Sequence, residues 1–320
     1  MLFGMRPILN HFGSRLTAIA TLVAASVALS LVAGCSDNSN SSANGARKTI
    51  VVTYSILGSL VADAVGDKAD VIVLIPNGFD PHEWEPSARD IEQLNDADLI
   101  VRNGLDLEGG MQDALDLAQE NGRPTFVASD HITIRIVGEG EGLPTGDPDQ
   151  APGAQDPHLW MDPITLQDVM SALGPVLVAQ GIEVTDGVAS VIAGLDELHT
   201  EVRATLAAVP EANRKLVTGH ESLGYFAKRY GFQLIGAIIP SLTTQAGVSA
   251  QALSRLADAV EEHHVKAIFT EIGTSTQVAE AIGAETGVKV VDLASHNLPD
   301  DGTYSSFLIE DARKVAAALA

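Results

Sequence analysis

The stretch Asp156-Pro157-His158-Leu159-Trp160-Met161-Asp162-Pro163 repeats an earlier one, Asp80-Pro81-His82-Glu83-Trp84. Both read Asp-Pro-His-x-Trp, and together they contain both tryptophans of the chain. Proline fixes the backbone before each histidine, which limits the freedom that the histidine loses when it binds a ligand. The aspartate can accept a hydrogen bond from the imidazole, and the tryptophan can exclude water. The repeat therefore favours two metal-ligating histidines over two rigid turns with buried tryptophans.

The composition predicts an acidic globular protein. The 320 residues carry a formal charge of -23 at pH 7, and 46% of them are hydrophobic. A chain of this length suits two compact lobes or one large α/β domain. A surface this acidic repels nucleic acid and attracts cations without specificity, so we exclude nucleic-acid binding.

Residues 1–34 predict an export signal, because a basic start is followed by an apolar run and by small residues. The run is long enough to cross a membrane, but its position and its polar sequel favour a signal. Cys35 is the only cysteine, which excludes a disulfide within the chain. Residues 35–48 contain a run of Asn and Ser and predict a flexible tether.

The sequence Leu31-Val32-Ala33-Gly34-Cys35 resembles the lipobox of bacterial lipoproteins. This resemblance implies that Cys35 is lipidated and becomes the mature N-terminus, anchored to a membrane. The alternative is an ordinary signal followed by an incidental thiol.

Short β-branched runs alternate with helical patterns in two blocks, residues 49–164 and 211–320. This alternation predicts parallel, helix-covered sheets, which bind ligands at the carboxyl ends of their strands. Residues 165–210 predict two connecting helices, and the second, Asp186 to Ala208, would be roughly 34 Å long. We therefore predict an α/β fold of two lobes with central, mainly parallel sheets, joined by a long backbone helix, with the ligand site in the cleft between the lobes.

Residues 138–155 form an acidic loop without hydrophobic periodicity that leads directly into the second Asp-Pro-His-x-Trp copy. This loop is either a mobile flap that gathers cations weakly or a plain surface insertion.

Two polar residues of the second block follow predicted strands. His220 comes after Lys215 to Thr218, and Asp292 comes after Val288 to Val291. Together with His82 and His158 they supply three imidazoles and one carboxylate to the same cleft. Four nitrogen and oxygen ligands suit Zn²⁺, whereas so many imidazoles favour Mn²⁺ less.

Four parts of the sequence resemble the metal-binding lipoproteins of bacterial ABC uptake systems, the ZnuA/TroA-like family. They are the two histidines of the repeat, the segment from Thr218 to Phe226, the pair Val291-Asp292 and the residues Gly302-Thr303-Tyr304. The likeness runs from Thr49 to the end of the chain. It implies a substrate-binding protein, expected to be a monomer, that delivers its metal to an ABC permease at the extracytoplasmic face of the cell membrane. It also implies little hinge motion, and it leaves a secondary role in cell adhesion open.

The same resemblance implies that the metal ligands are His82, His158, His220 and Asp292. Manganese members of the family tend to carry Glu where His220 stands, so the site resembles the zinc type. The acidic loop departs from many zinc members because it contains no histidine.

Two other residues lie near the predicted ligands in sequence or at strand ends. His296 follows Asp292 by four residues and is expected to be a solvated loop histidine, with metal binding as the alternative. Glu271 follows a predicted strand and either accepts a hydrogen bond from a ligand histidine or caps a helix near Thr274.

An enzyme is the competing class of function. The segment from His220 to Gly224 approximates the Gly-x-Ser-x-Gly elbow of α/β-hydrolases, with Ser222 as nucleophile and Asp292 and His296 in the expected order. That interpretation leaves both Asp-Pro-His-x-Trp copies unexplained. A metal held by four protein ligands keeps no open position for an activated water, so we predict capture of a metal over hydrolysis, with a structural zinc site as a third possibility.

Overall fold

The computed structural model describes residues 47–143 and 151–320. The predicted signal, the predicted lipidation site Cys35 and most of the predicted tether lie outside the described residues. No helix of the described part is both long and apolar enough to cross a membrane.

The first lobe is a parallel four-stranded sheet with helices between its strands. Its elements are β1 (Lys48–Tyr54), α1 (Ser55–Val65), β2 (Ala69–Ile75), α2 (Ala88–Asp96), β3 (Leu99–Arg102), α3 (Gln112–Glu120) and β4 (Thr125–Val127). The strand order is β2-β1-β3-β4. Ile50, Val51 and Val52 of β1 are fully buried, because this central strand is covered on both faces.

The second lobe repeats this arrangement. Its elements are β5 (Lys215–Thr218), α6 (Gly224–Tyr230), β6 (Gln233–Ala237), α7 (Ala250–Glu262), β7 (Ala267–Thr270), α8 (Thr276–Thr286), β8 (Lys289–Asp292) and α9 (Tyr304–Leu319). The strand order is β6-β5-β7-β8, again all parallel. In each sheet the chain leaves the first strand to one side and later returns on the other, which makes a crevice at the carboxyl ends of the strands.

Two helices, α4 (Pro163–Ala179) and α5 (Thr185–Leu206), link the lobes. Helix α5 packs against α4, against α1 of the first lobe and against α9 of the second. Gly187 is required at the contact with α1, since any β-carbon there would overlap the carbonyl oxygen of Ala64. The predicted α/β architecture of two lobes joined by a long helix is confirmed.

Most of the apolar core is continuous between the lobes. One cluster joins residues of both sheets with residues of α4, α5 and α9, and a smaller one lies beneath the second sheet around Val217 and Ile268. The two lobes therefore share buried surface along the linking helices, which favours a stiff frame around the cleft.

Asp311 of α9 is an ionisable group in this core. Its Oδ1 accepts a hydrogen bond from the amide of Ala294 at 2.9 Å, whereas its Oδ2 is buried and has no hydrogen-bond partner within residues 47–143 and 151–320. Burial raises the pKa of this carboxyl to about 7. This folded pKa lies above the unfolded value of 3.8. The contribution of Asp311 to the free energy of unfolding is therefore complete below pH 4, and it is lost as the pH rises through 7.

We predict that Asp311→Asn removes this loss of stability at high pH. Asparagine keeps an acceptor for the Ala294 amide and carries no charge. Urea unfolding of the metal-free protein should give a free energy of unfolding at pH 8 that is higher for the variant by about 1–3 kcal/mol, with little gain at pH 4. An equal difference between variant and wild type at both pH values would contradict the assignment.

Candidate metal centre

The two Asp-Pro-His-x-Trp copies form the same turn. In each copy the aspartate Oδ1 accepts the backbone amide of the histidine two residues later, at 2.9 Å in both. This is an Asx turn, which the intervening proline stiffens. The repeat therefore presents two histidines from the first lobe on rigid backbone.

The second copy also orients its imidazole. Asp156 Oδ1 accepts from His158 Nδ1 at 2.8 Å, which assigns the free lone pair of His158 to Nε2. Trp160 is fully buried, with its ring centre 5.3 Å from that of His158. Its Nε1 donates to the carbonyl of Ser295 in the second lobe at 2.7 Å. Trp160 thus covers the site, as predicted, and ties the lobes together.

The first copy differs from the second. Asp80 Oδ2 is buried and has no hydrogen-bond partner among the described residues. Trp84 is partly buried against the main core. The rings found beside His82 are those of three other histidines, so Trp84 does not shield the site in the way that Trp160 does.

His220 and Glu271 follow adjacent strands of the second sheet, β5 and β7, and meet at their carboxyl ends. Glu271 Oε1 accepts from His220 Nδ1 at 2.7 Å and from its backbone amide at 2.9 Å. Of the two roles considered for Glu271, that of acceptor for a site histidine is confirmed. The N-cap of α8 is Ser275.

His296 is the fourth histidine of the cluster. The residue is only 4% exposed, so the expectation of a solvated loop histidine is wrong. Its Nδ1 contacts Ser295 Oγ at 2.8 Å, and its Nε2 is buried without a hydrogen-bond partner in the described part of the chain. An unpaired buried nitrogen that faces three other imidazoles is what a missing cation would leave.

The ligand atoms of the four histidines converge. Nε2 of His158 lies 3.3 Å from that of His82 and 3.0 Å from that of His220. Including His296, one ligand nitrogen from each residue lies within 4.8 Å of all the others. A tetrahedral Zn²⁺ with Zn–N distances of about 2.0–2.1 Å has N···N separations of about 3.3–3.4 Å. The cluster therefore fits one divalent ion.

Burial keeps most of these imidazoles neutral. It lowers the pKa of His82 and of His296 well below the ordinary value, and the neighbouring imidazoles add to the effect. Burial also lowers the pKa of His158, although the hydrogen bond to Asp156 offsets part of the shift. Neutral imidazole is the form that coordinates a metal.

His220 is the exception. Burial alone would lower its pKa, but the Glu271 carboxylate outweighs this effect and raises it. In turn, the neighbouring His220 holds the pKa of the Glu271 carboxyl well below its usual range, against the effect of burial. When no metal is bound, a protonated His220 Nε2 can donate a hydrogen bond to His158 Nε2. An arriving cation has to displace this proton.

Asp292 does not belong to this cluster. It ends β8, the edge strand of the second sheet, and its exposed carboxylate accepts from Thr270 Oγ1 at 3.4 Å. The loop after β8 carries His296 back over the crevice. Two hydrogen bonds hold this loop: the Ala294 amide donates to Asp311 Oδ1, and the Ser295 carbonyl accepts from Trp160 Nε1. The structure thus brings together His82, His158 and His220 as predicted, with His296 where Asp292 was expected.

Ser222 is not placed as a nucleophile. Its side chain is fully buried, and its Oγ donates to both oxygens of Glu271, at 2.9 and 2.7 Å. His296, the base that the hydrolase interpretation requires, contacts Ser295 instead. The hydrolase alternative is wrong because the Ser222 hydroxyl is bound to a buried carboxylate, and no hydrogen bond joins it to a histidine among the described residues.

A cavity of about 290 Å³ adjoins the centre on the side of His82. Both lobes line it, with Pro157 and Asp106 from the first and Leu242 and Thr243 from the second. The cluster is thus buried, and it borders this cavity through His82.

Comparisons with known proteins agree with this geometry. The family model for the zinc-uptake complex component A, periplasmic (ZnuA), matches residues 50–318. The high-affinity zinc uptake system protein ZnuA of Bacillus subtilis is 30% identical over 268 residues, which cover 81% of this chain and 82% of that protein. The manganese-binding lipoprotein MntA of Halalkalibacterium halodurans is 27% identical over 265 residues, which cover 81% and 83%.

Among solved structures, the periplasmic zinc-binding protein TroA from Treponema pallidum has a TM-score of 0.73 and 26% identity to this chain. The match covers 86% of this chain and 99% of that one. Because the relatives are named for zinc and for manganese, the choice of metal has to be argued from the ligands.

Proposed function

The chain belongs to the ZnuA family of metal-binding components of ABC uptake systems, and on this premise we propose that its cargo is Zn²⁺. It is a solute-binding protein for metal import and not an enzyme. The observation that supports zinc is the buried cluster of four histidines.

The proposed ligands are Nε2 of His82 and His158 from the first lobe and of His220 and His296 from the second. Four imidazoles suit a tetrahedral borderline ion such as Zn²⁺, whereas Mn²⁺ prefers oxygen ligands and higher coordination. Two buried carboxylates, Asp156 and Glu271, balance the charge of a dication through the rings that they contact. Asp292, expected as a ligand from the family resemblance, is left out of the proposed set.

An ion in this position would be held by two ligands from each lobe. Release of the ion then requires a movement of the lobes or of the loop that carries His296. This movement has to separate the two histidines of one lobe from the two of the other. The long helix α5 packs against both lobes and opposes a wide hinge motion. Small displacements are sufficient, because a metal–nitrogen bond is lost within an ångström or so of its optimum.

The sequence outside the described residues completes the proposal. We propose that residues 1–34 are removed, that Cys35 carries the lipid anchor, and that residues 35–48 tether residues 49–320 at the extracytoplasmic face of the membrane. There the protein, as a monomer, would hand its ion to an ABC permease.

We predict that His82→Ala, His158→Ala and His296→Ala each weaken Zn²⁺ binding roughly 100-fold, since each removes one of four ligands worth about 3 kcal/mol. The measurement is a competition titration against a chromogenic chelator. Asp292→Ala is the matched control and should bind Zn²⁺ as the wild type does. Lost affinity in Asp292→Ala together with unchanged affinity in His296→Ala would reverse the assignment of the fourth ligand.

We also predict that the protein prefers Zn²⁺ to Mn²⁺ by at least about 100-fold, because nitrogen ligands follow the order of affinities that places Mn²⁺ last. His296→Asp should reduce the preference for Zn²⁺ over Mn²⁺ by exchanging a nitrogen ligand for an oxygen.

In the source organism, deletion of the gene should impair growth in zinc-depleted medium, and added zinc should restore growth. Restoration by manganese alone would refute zinc as the cargo.

A further inference from the structure

We propose that Arg135 is a positioning residue of the metal centre, which acts by fixing the Asp156 carboxylate that orients His158. Arg135 lies three residues before the acidic loop and belongs to none of the predicted ligand motifs. The inference rests on the proposed metal site, and its test separates the two.

Arg135 and Asp156 form a buried ion pair. The guanidinium Nη1 donates to Asp156 Oδ2 at 2.9 Å, and the two side chains are 6% and 0% exposed. The backbone adds to the contact, because the Asp156 amide donates to the Arg135 carbonyl at 3.0 Å. Asp156 therefore uses both carboxylate oxygens, Oδ1 for His158 and Oδ2 for Arg135.

The second lobe contains the same arrangement with different residues. Glu271 gives Oε1 to the ring and amide of His220, and Ser222 Oγ lies 2.7 Å from its other oxygen and 2.9 Å from Oε1. In both lobes a carboxylate orients an imidazole with one oxygen and is held by a second donor at the other. Arg135 thus does for Asp156 what Ser222 does for Glu271.

The remaining contacts of Arg135 fix its own position. Its amide donates to Tyr225 Oη of the second lobe at 2.9 Å. Its Nη2 forms an ion pair with Glu141, whose Oε2 accepts from the amide of Gly138 at 2.8 Å. Gly224 must be glycine, because any β-carbon there would overlap the guanidinium and the carboxylate that it binds. The second lobe therefore closes directly over the ion pair.

Arginine suits this role for a geometric reason. Its planar fork binds two carboxylates at once, here those of Asp156 and Glu141, whereas a lysine ammonium is a point charge on a flexible stem. Without Arg135, Asp156 is a buried carboxylate with no cation beside it, and one of its oxygens is no longer held. The imidazole that depends on it then loses a fixed direction toward the metal.

The test compares Arg135→Gln and Arg135→Lys with the wild type in full-length protein. We expect Arg135→Gln to raise the Kd for Zn²⁺ about 10-fold or more, the usual cost of losing support for a ligand histidine. In Co²⁺-loaded protein its visible d–d bands should shift or weaken, because one nitrogen ligand is displaced. Arg135→Lys should recover part of both properties, and it carries the test if Arg135→Gln does not fold.

Arg229→Gln is the matched control. Arg229 forms a two-pronged ion pair between the lobes with Asp162, at 2.7–2.9 Å, but Asp162 contacts no histidine of the cluster among the described residues. It should lower thermal stability and leave the Zn²⁺ affinity and the Co²⁺ spectrum unchanged.

Unchanged affinity and spectrum in folded Arg135→Gln, or equal losses in Arg229→Gln, would overturn the inference. A wild-type protein that binds no Zn²⁺ would instead refute the proposed function itself.

Discussion

Four imidazole nitrogens that face one another in a buried space repel each other unless a positive charge lies between them. Nε2 of His158 is 3.0 Å from that of His220 and 3.3 Å from that of His82, and the single lone pair of His158 can accept a proton from only one of these neighbours. The surrounding residues hold this arrangement in place through buried hydrogen bonds. On the proposed function, one metal ion would bind all four nitrogens, and little binding energy would be lost in ordering ligands that are already assembled.

The fold creates this crowding by using one topology twice. Each sheet places its first strand between the second and third, and histidines from both lobes converge in one cluster. Each lobe then contributes two histidines and one orienting carboxylate. Trp160 and the loop after β8 join the halves, because the indole donates to Ser295 next to His296. The cluster therefore depends on the packing of both lobes around Trp160 and His296.

Much of this was predictable from the sequence because it depends on local patterns. The strand and helix alternation fixes two parallel sheets, and the Asp-Pro-His-x-Trp copies and the Thr-Gly-His segment identify His82, His158 and His220. Each of these histidines follows a strand or a stiff turn, so its position depends on few residues.

The fourth histidine of the cluster was not predictable in the same way. His296 lies in a loop that has no periodicity, and its burial depends on contacts with Asp311 and Trp160 that are distant in sequence. Asp292 ends a strand as expected, but that strand is at the edge of the sheet. Arg135 was missed for a related reason, since its partner Asp156 is 21 residues away across the acidic loop.

The most direct test is a crystal structure of the zinc-loaded protein, with anomalous scattering measured at the zinc absorption edge. We expect one ion between the lobes, bound by Nε2 of His82, His158, His220 and His296, with Asp156 and Glu271 still on the Nδ1 atoms of their histidines. An ion bound by Asp292 in place of His296, or bound away from the cluster, would contradict the account.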